Sequence, residues 1–296
     1  MTDLIKQRSE LIFCYDIKDA NPNGDPVDEN KPRIDEETGI NIVTDVRLKR
    51  TIRDYLFNFK GFNGENGKDI FVREIVSKQK GGIQDGKARA KDFKNQKEKV
   101  LESCIDVRLF GGVIPLEKSS ITLTGPVQFK MGRSLHTVEI KHIKGTGAFA
   151  SKEGAKQATF REEYILPYSF ICFHGIINEN AAKHTNLTND DVKNLIEGMW
   201  LGTKNLISRS KFGQQPRLLI KINYNDPGFF IGDLDSFISI ECENECSLRG
   251  VSDFTLNIGE LTKAIDKYSE KIDSVEYLAD DKLQVSIPSD FKEIKL

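Results

Sequence analysis

SELIFCYDI, residues 9–17, leads through a long polar loop into TDVRLKRTIRDYLFNF, residues 44–59, and this pair decides the fold. The first stretch sets Leu11, Phe13, Tyr15 and Ile17 on one face of a strand. Ile12 and Cys14 bury part of the other face. The loop, 21–39, has three prolines and two glycines among acidic residues, with almost nothing apolar. Thr44 then reads as an N-cap with Asp45 in the first turn. Leu48, Ile52, Tyr55, Leu56 and Phe59 follow at helical spacing and predict an inward stripe. At about 100° per residue, Arg47, Arg50 and Arg53 fall opposite that stripe, with Lys49 on the flank.

Working outward, residues 60–90 read as a glycine- and lysine-rich excursion, and a second helix is predicted over about 88–106. ITLTGPVQF, 121–129, predicts a strand that bends at Gly125-Pro126. A basic, glycine-rich segment follows, in which 128–158 are expected to form a hairpin. EEYILPYSFICFHGII, 162–177, is an apolar strand. A capped helix from Thr188 turns Val192, Leu195, Ile196, Met199, Thr203, Leu206 and Ile207 inward, and PRLLIKINY returns as a strand. The C-terminal part adds SFISIE, the helix GELTKAIDKYSEKI and a strand KLQVSIP. The order is βαββαβ, the ferredoxin-like or RRM-like order of an α+β fold. No linker splits the chain, so 1–296 is expected to be one elaborated domain with insertions near 18–43, 60–90 and 128–160.

The chain of 296 residues has 45 acids and 43 bases, but the signs are segregated. Residues 1–40 carry 10 acids and 5 bases, and 226–260 carry 8 acids and 1 base. Residues 41–100 carry 15 bases against 8 acids, and 118–161 carry 8 against 2. Such segregation points to separate basic and acidic surfaces. The 26 residues from 199 to 224 contain no acid at all. Within them SRSKFGQQPR supplies charge from Arg209, Lys211 and Arg217, and donors from Ser208, Ser210, Gln214 and Gln215. Phe212 offers an aromatic face, and Gly213 permits close backbone approach. That inventory suits a sugar–phosphate chain in single-stranded form.

Other chemistries are poorly supported. Five scattered cysteines make no disulfide framework, and the lone Cys242/Cys246 pair lacks a second pair for zinc. Asp25, Asp28, Asp35 and Glu36 match no metal loop, and GTGAFA, 145–150, lacks the strand–turn–helix context of a phosphate fingerprint. His136 and His142 lie in the basic segment without a sequence-adjacent nucleophile or carboxylate. They read as hydrogen-bond donors rather than nuclease residues. His174 reads as a satisfied core histidine. No catalytic residue, metal or cofactor is expected. No apolar run spans a membrane, and the N-terminus lacks a signal peptide, so the expected location is the cytoplasm.

FCYDIKDANPNGDP (13–26), TDVRLKRTIRDYL (44–56), GPVQFKMGRSLH (125–136) and SRSKFGQQPRLLI (208–220) resemble, in that order, the CRISPR-associated Cas-seven family of the RAMP superfamily, in its type I-B and I-C branch. The resemblance implies an RRM-like palm with finger and thumb insertions. It implies a non-enzymatic backbone subunit of the Cascade complex, stacked head to tail in many copies along a CRISPR RNA. Its partners would be that RNA, a target DNA strand paired to it, the large subunit, and the Cas-five and Cas-six type proteins. It places Thr44, Lys49, Arg50, Arg53, Arg209, Ser210 and Lys211 on the RNA backbone. Arg47, Arg133, Ser208, Gln214 and Arg217 join them from the same basic segments. Met131, Phe149 and His136 are the expected groups that wedge between bases. The alternative within the superfamily is a CRISPR RNA-processing endonuclease.

Overall fold

The computed structural model describes residues 3–76, 81–150 and 158–296, and the side chains of all of these except 146–150 and 158–161. Its core elements keep the expected βαββαβ order: β1 (Ser9–Ala20), α1 (Asp45–Phe59), β2 (Gly132–Thr137), β3 (Ala158–Ile177), α2 (Asn189–Lys204) and β4 (Gln215–Tyr224), but β2 falls in the segment expected to be the basic hairpin rather than at 121–129. β1 pairs antiparallel with both β3 and β4, and β3 pairs antiparallel with β2. The sheet order is therefore β4-β1-β3-β2, the ferredoxin-like arrangement. A further strand, β5 (Ile272–Ala279), extends the sheet beside β4, and Ile40–Val43 extends it beside β2.

Alternation along β1 decides what covers each face. Leu11, Phe13, Tyr15 and Ile17 join Leu48, Ile52 and Leu56 of α1 and Leu195 and Met199 of α2 in one core. Ile12 and Cys14 join Phe170, Cys172, Ile220 and the C-terminal Phe254, Leu256 and Leu261 in a second. The two helices approach closely because Gly198 and Gly202 carry no side chain. A Cβ there would lie 3.0 Å from Ile52 Cγ2 and from Tyr55 Cβ. Both faces of the sheet are covered. Bases therefore have no open sheet to stack on, as they do in an ordinary RRM, and any nucleic acid must meet helices and loops.

A buried polar cluster pins the 226–238 segment to this sheet. The fully buried Glu10 accepts from the Tyr224 hydroxyl, from Ile231 N at 2.9 Å and from Gly232 N at 3.1 Å. His174 Nε2 lies 2.8 Å from Glu10, and its Nδ1 lies 3.4 Å from Asp235. The core histidine expected at 174 is in place, with Nε2 satisfied by Glu10 and Nδ1 making only the longer ion-pair contact to Asp235.

Several elements differ from the expectation. The helix predicted over 88–106 is three short helices, Gly86–Asp92, Lys97–Ser103 and Ile105–Phe110. Lys94 and Asn95 adopt left-handed backbone, φ 58° and 56°, which breaks the run. With the hairpin Gly111–Pro115/Ser120–Thr124 these helices close a separate small core around Phe71, Val100, Leu101, Val107 and Ile114. The strand predicted over 121–129 is two, Ser120–Thr124 and Val127–Phe129, split at Gly125-Pro126. Phe59 and Ile207, expected inward, are exposed: Phe59 ends α1 with its ring stacked on Tyr55, and Ile207 lies past the end of α2. KLQVSIP is irregular apart from a bridge at Val285, and the C-terminal sheet strand is β5 instead.

A hairpin is formed by Lys141–Ala150 against the first half of β3, with Lys141 opposite Ile165 and Lys144 opposite Glu162. The Phe149 side chain and residues 151–157 lie outside the described residues. Among the described residues no helix is long and apolar enough to cross a membrane. Among them, too, no group of three or more His, Cys, Asp or Glu side chains could hold a metal ion.

Candidate nucleic-acid interface

Three chain segments meet at the start of α1. Asn21, just past β1, donates its backbone N–H to Ser210 O at 2.8 Å. Asn23 Oδ1 accepts from Thr44 N at 2.8 Å and from Thr44 Oγ1 at 2.9 Å. Thr44 Oγ1 in turn accepts from Arg47 N at 3.3 Å, as an N-cap. The 208–213 turn closes when Lys211 N and Phe212 N both donate to Ser208 O, and Gly213 takes φ +94°. A tight turn after α2 therefore rests on the loop that enters α1.

This junction places Arg47 beside Lys211. Arg47 Nη2 donates to Thr51 Oγ1 at 3.1 Å, and its buried Nε has no hydrogen-bond partner. Lys211 Nζ reaches only the Ser210 hydroxyl, at 3.2 Å. Among the described residues neither cation has a carboxylate within ion-pair distance. Burial pushes the Arg47 guanidinium below its ordinary pKa. Burial, and then the charge of Arg47, push Lys211 down as well. Two half-buried like charges without a counterion are costly. An anion bound between them would relieve both the repulsion and the orphaned donor.

The other expected RNA-facing residues divide in two. Some are exposed or half-exposed cations in ion pairs. Arg50 pairs with Asp54 at 2.7 Å, Arg133 with Asp35 at 3.2 Å and Arg209 with Glu163 at 3.2 Å. Such pairs contribute about 0–1 kcal/mol each, so a phosphate can displace the carboxylate at little cost. Ser208 is exposed and Ser210 half-buried beside them. Met131 is exposed, as a base-wedging residue must be.

The rest belong to the structure of the chain. Lys49 is held by Asp45 at 2.9 Å and Gln128 at 3.1 Å. Arg53 Nε donates to Asp106 Oδ2 at 3.0 Å. Asp106 is fully buried and also accepts from Phe71 N and Val72 N. Arg217 is buried between Asp16 and Asp280, and Gln214 is buried. His136 is corrected most sharply. It is only 2% exposed, its ring stacks on Tyr168, and its Nε2 accepts from Phe170 N. Its Nδ1 lies 2.9 Å from Thr137 O. Burial lowers its pKa, and a ring so placed cannot wedge between bases.

Asn21 and Asn23 organise the junction and were missed in the sequence. The turn chemistry of NPNG is the one signal that points to them. Thr44 has both its hydroxyl functions engaged. Thr44→Ala is therefore expected to lower stability by about 1 kcal/mol while leaving the salt dependence of RNA binding unchanged. Chemical denaturation and binding titrations check this together.

An antiparallel ferredoxin-like sheet with both faces covered, and two half-buried cations without a carboxylate partner among the described residues, mark an α+β protein with a candidate anion site at the entry of its first helix. A family model described as CRISPR-associated protein Cas7 matches residues 7–259. A CRISPR-associated protein Cas7 of Haloferax volcanii is 32% identical over 310 residues, which cover 95% of this chain and 89% of that one. The chain belongs to the Cas7 family. A chain of a CRISPR RNA-guided surveillance complex, pre-nicking, shares the fold with TM-score 0.59 at 11% identity, over 98% of this chain and 96% of its own. A chain of another CRISPR RNA-guided surveillance complex does so with TM-score 0.54 at 12% identity, over 98% and 95%.

Proposed function

We propose that this chain is the CRISPR RNA-binding backbone subunit of a type I-B or I-C Cascade complex. It polymerises head to tail along the guide RNA and presents the bases for pairing with a target DNA strand. The observation that carries the reading is the Arg47–Lys211 pair, two half-buried cations without a carboxylate at the junction of α1 and the 208–213 turn. A phosphate of the RNA fits between them. Sequence specificity then rests with base pairing, and the protein grips backbone and shape. The chain works in the cytoplasm beside the large subunit and the Cas-five and Cas-six type proteins, and it cuts nothing.

Sedimentation velocity with single-stranded RNAs of increasing length tests this. The free protein should be mostly monomeric at low micromolar concentration, and the complex should gain mass in steps of one chain as the RNA lengthens. A dimer that forms without RNA and ignores RNA length would contradict it. Repeat RNA incubated with the protein, with and without a divalent metal, should stay intact. Cleavage would make the chain a processing endonuclease instead.

A further inference from the structure

Four tyrosines are buried among the described residues: Tyr15, Tyr55, Tyr168 and Tyr224. Three of them donate to a carboxylate, Tyr55 to Glu197 at 2.8 Å, Tyr168 to Asp16 at 2.9 Å and Tyr224 to Glu10. Tyr15 does not. It is only 3% exposed, yet its hydroxyl has no hydrogen-bond partner among the described residues. Buried tyrosine hydroxyls ordinarily find an acceptor, because an unpaired one forfeits its bond to water. Nor is this hydroxyl sealed in, since solvent still reaches its edge.

Its place in the fold identifies the missing acceptor. Tyr15 projects from the face of β1 that α1 covers, in one core with Leu48. Phe13 and Phe173 hold its ring, with centroids 5.9 and 6.1 Å away. Its register partner on β4 is Pro216, five residues past Lys211, and the β1–β4 register shifts at this point. So β1, α1 and the strand that leaves the 208–213 turn converge here. The charge that acts on the hydroxyl is that of Arg47. Burial raises the pKa of the phenol above the ordinary tyrosine range, and Arg47 only partly opposes this, so the proton stays on. The group is a neutral donor beside a cation. An acceptor that suits both is an anion, and among the described residues the chain supplies none to Arg47.

We propose that the Tyr15 hydroxyl is the third group of the Arg47–Lys211 site, donating a hydrogen bond to the RNA phosphate that the two cations hold. This rests on the RNA-binding reading of that site and adds to it a donor without charge. The cations supply attraction that salt weakens. The hydroxyl supplies direction, because a hydrogen bond favours a narrow range of angles, and its bond to an ionised oxygen is of the stronger kind. Its ring is already fixed by two aromatic neighbours, so little freedom is lost when the phosphate arrives.

Tyr15→Phe removes one oxygen and no charge. Binding to single-stranded RNA should weaken about tenfold, the scale of one hydrogen bond to a charged group. The slope of log affinity against log salt should stay at the wild-type value. Urea denaturation should give the wild-type midpoint, because the hydroxyl has no partner in the free chain to lose. In the Arg47→Ala/Lys211→Ala background the same change should weaken binding by less than about twofold, since groups on one ligand do not add independently. Wild-type affinity in Tyr15→Phe overturns the proposal. A lower urea midpoint makes Tyr15 a packing residue and overturns it too. A further tenfold loss in the double-alanine background, about the full single effect, puts the hydroxyl on another part of the RNA and also overturns it. If Arg47→Ala/Lys211→Ala itself binds RNA as wild type does, the RNA-binding reading of the site fails first, which is a distinct result.

Discussion

Replacing Arg47 and Lys211 together with alanine is expected to weaken binding to single-stranded RNA by more than about a hundredfold at low salt. Hydrogen bonds to charged groups contribute about 1.5–3 kcal/mol each, and two are lost here. The slope of log affinity against log salt should flatten by about 0.7, since the one phosphate that the pair shares accounts for about 0.7 on a single strand. Unrelated RNA sequences should lose affinity alike, because phosphates carry no sequence. The same change should leave the folded chain no less stable. Neither cation has a carboxylate within ion-pair distance among the described residues to lose, and burial disfavours the charge of both, that of Lys211 further because of Arg47. A site kept for folding would show the reverse, a lower unfolding free energy with an unchanged slope. Arg209→Ala should have a smaller effect, because Arg209 must first exchange its Glu163 partner for a phosphate.

The second large effect is on stability. Glu10→Ala removes the acceptor for Tyr224, Ile231 N and Gly232 N and the near carboxylate of His174. Breaking a buried charged network of this kind costs about 3–5 kcal/mol. The histidine makes the same cluster pH-dependent. Burial alone would lower the His174 pKa, but Asp235 and Glu10 outweigh it and hold the ring up to about 9. The folded state thus binds the proton more tightly than the unfolded chain, whose histidines titrate near about 6.5. The stabilisation is complete below about pH 6.5 and is lost as pH rises through about 9. Over that window unfolding free energy should fall by up to about 1.4 kcal/mol per pH unit. Lys130, 2.8 Å from Asp235, stays charged throughout and keeps part of the cluster paired. Glu10→Gln keeps an acceptor oxygen but no charge, so its stability should vary much less between pH 6.5 and 9. Urea denaturation at several pH values separates the two.

Most of the sheet was legible in the sequence, because β1 alternates, β3 and β4 are strongly apolar and the two long helices carry caps and stripes, but β2 was not, since Gly132–Thr137 sits in a basic, glycine-rich segment. Thr44 and Thr188 both cap as read, and Thr188 closes a reciprocal box with Asp191. The lobe around Phe71 and Ile114 was not legible as a unit, because its small apolar core is assembled from short elements and joined by buried charge. Asp69 meets Arg89 at 2.6 Å, and Asp106 meets Arg53, pairs that no local pattern announces. The same blindness separates the site residues. Arg47, Arg50 and Arg53 are equivalent on a helical wheel, yet Arg47 has no carboxylate partner among the described residues, Arg50 forms an exposed pair with Asp54 and Arg53 meets a buried aspartate. Arg217 stands among residues without one acid in the sequence, and in the fold it lies between two. The 199–224 stretch lacks acids in part because Arg209, Arg217 and Lys221 find them elsewhere in the fold, whereas Lys204 and Lys211 have no ion pair among the described residues.

Nuclease protection along a long RNA saturated with the protein tests the backbone-subunit reading most directly. The predicted result is a regular ladder of protected and open positions with the same spacing on unrelated sequences. It should vanish for Arg47→Ala/Lys211→Ala at a salt concentration where wild type still shows it. Protection at one sequence only, or a ladder unchanged in that variant, would contradict it.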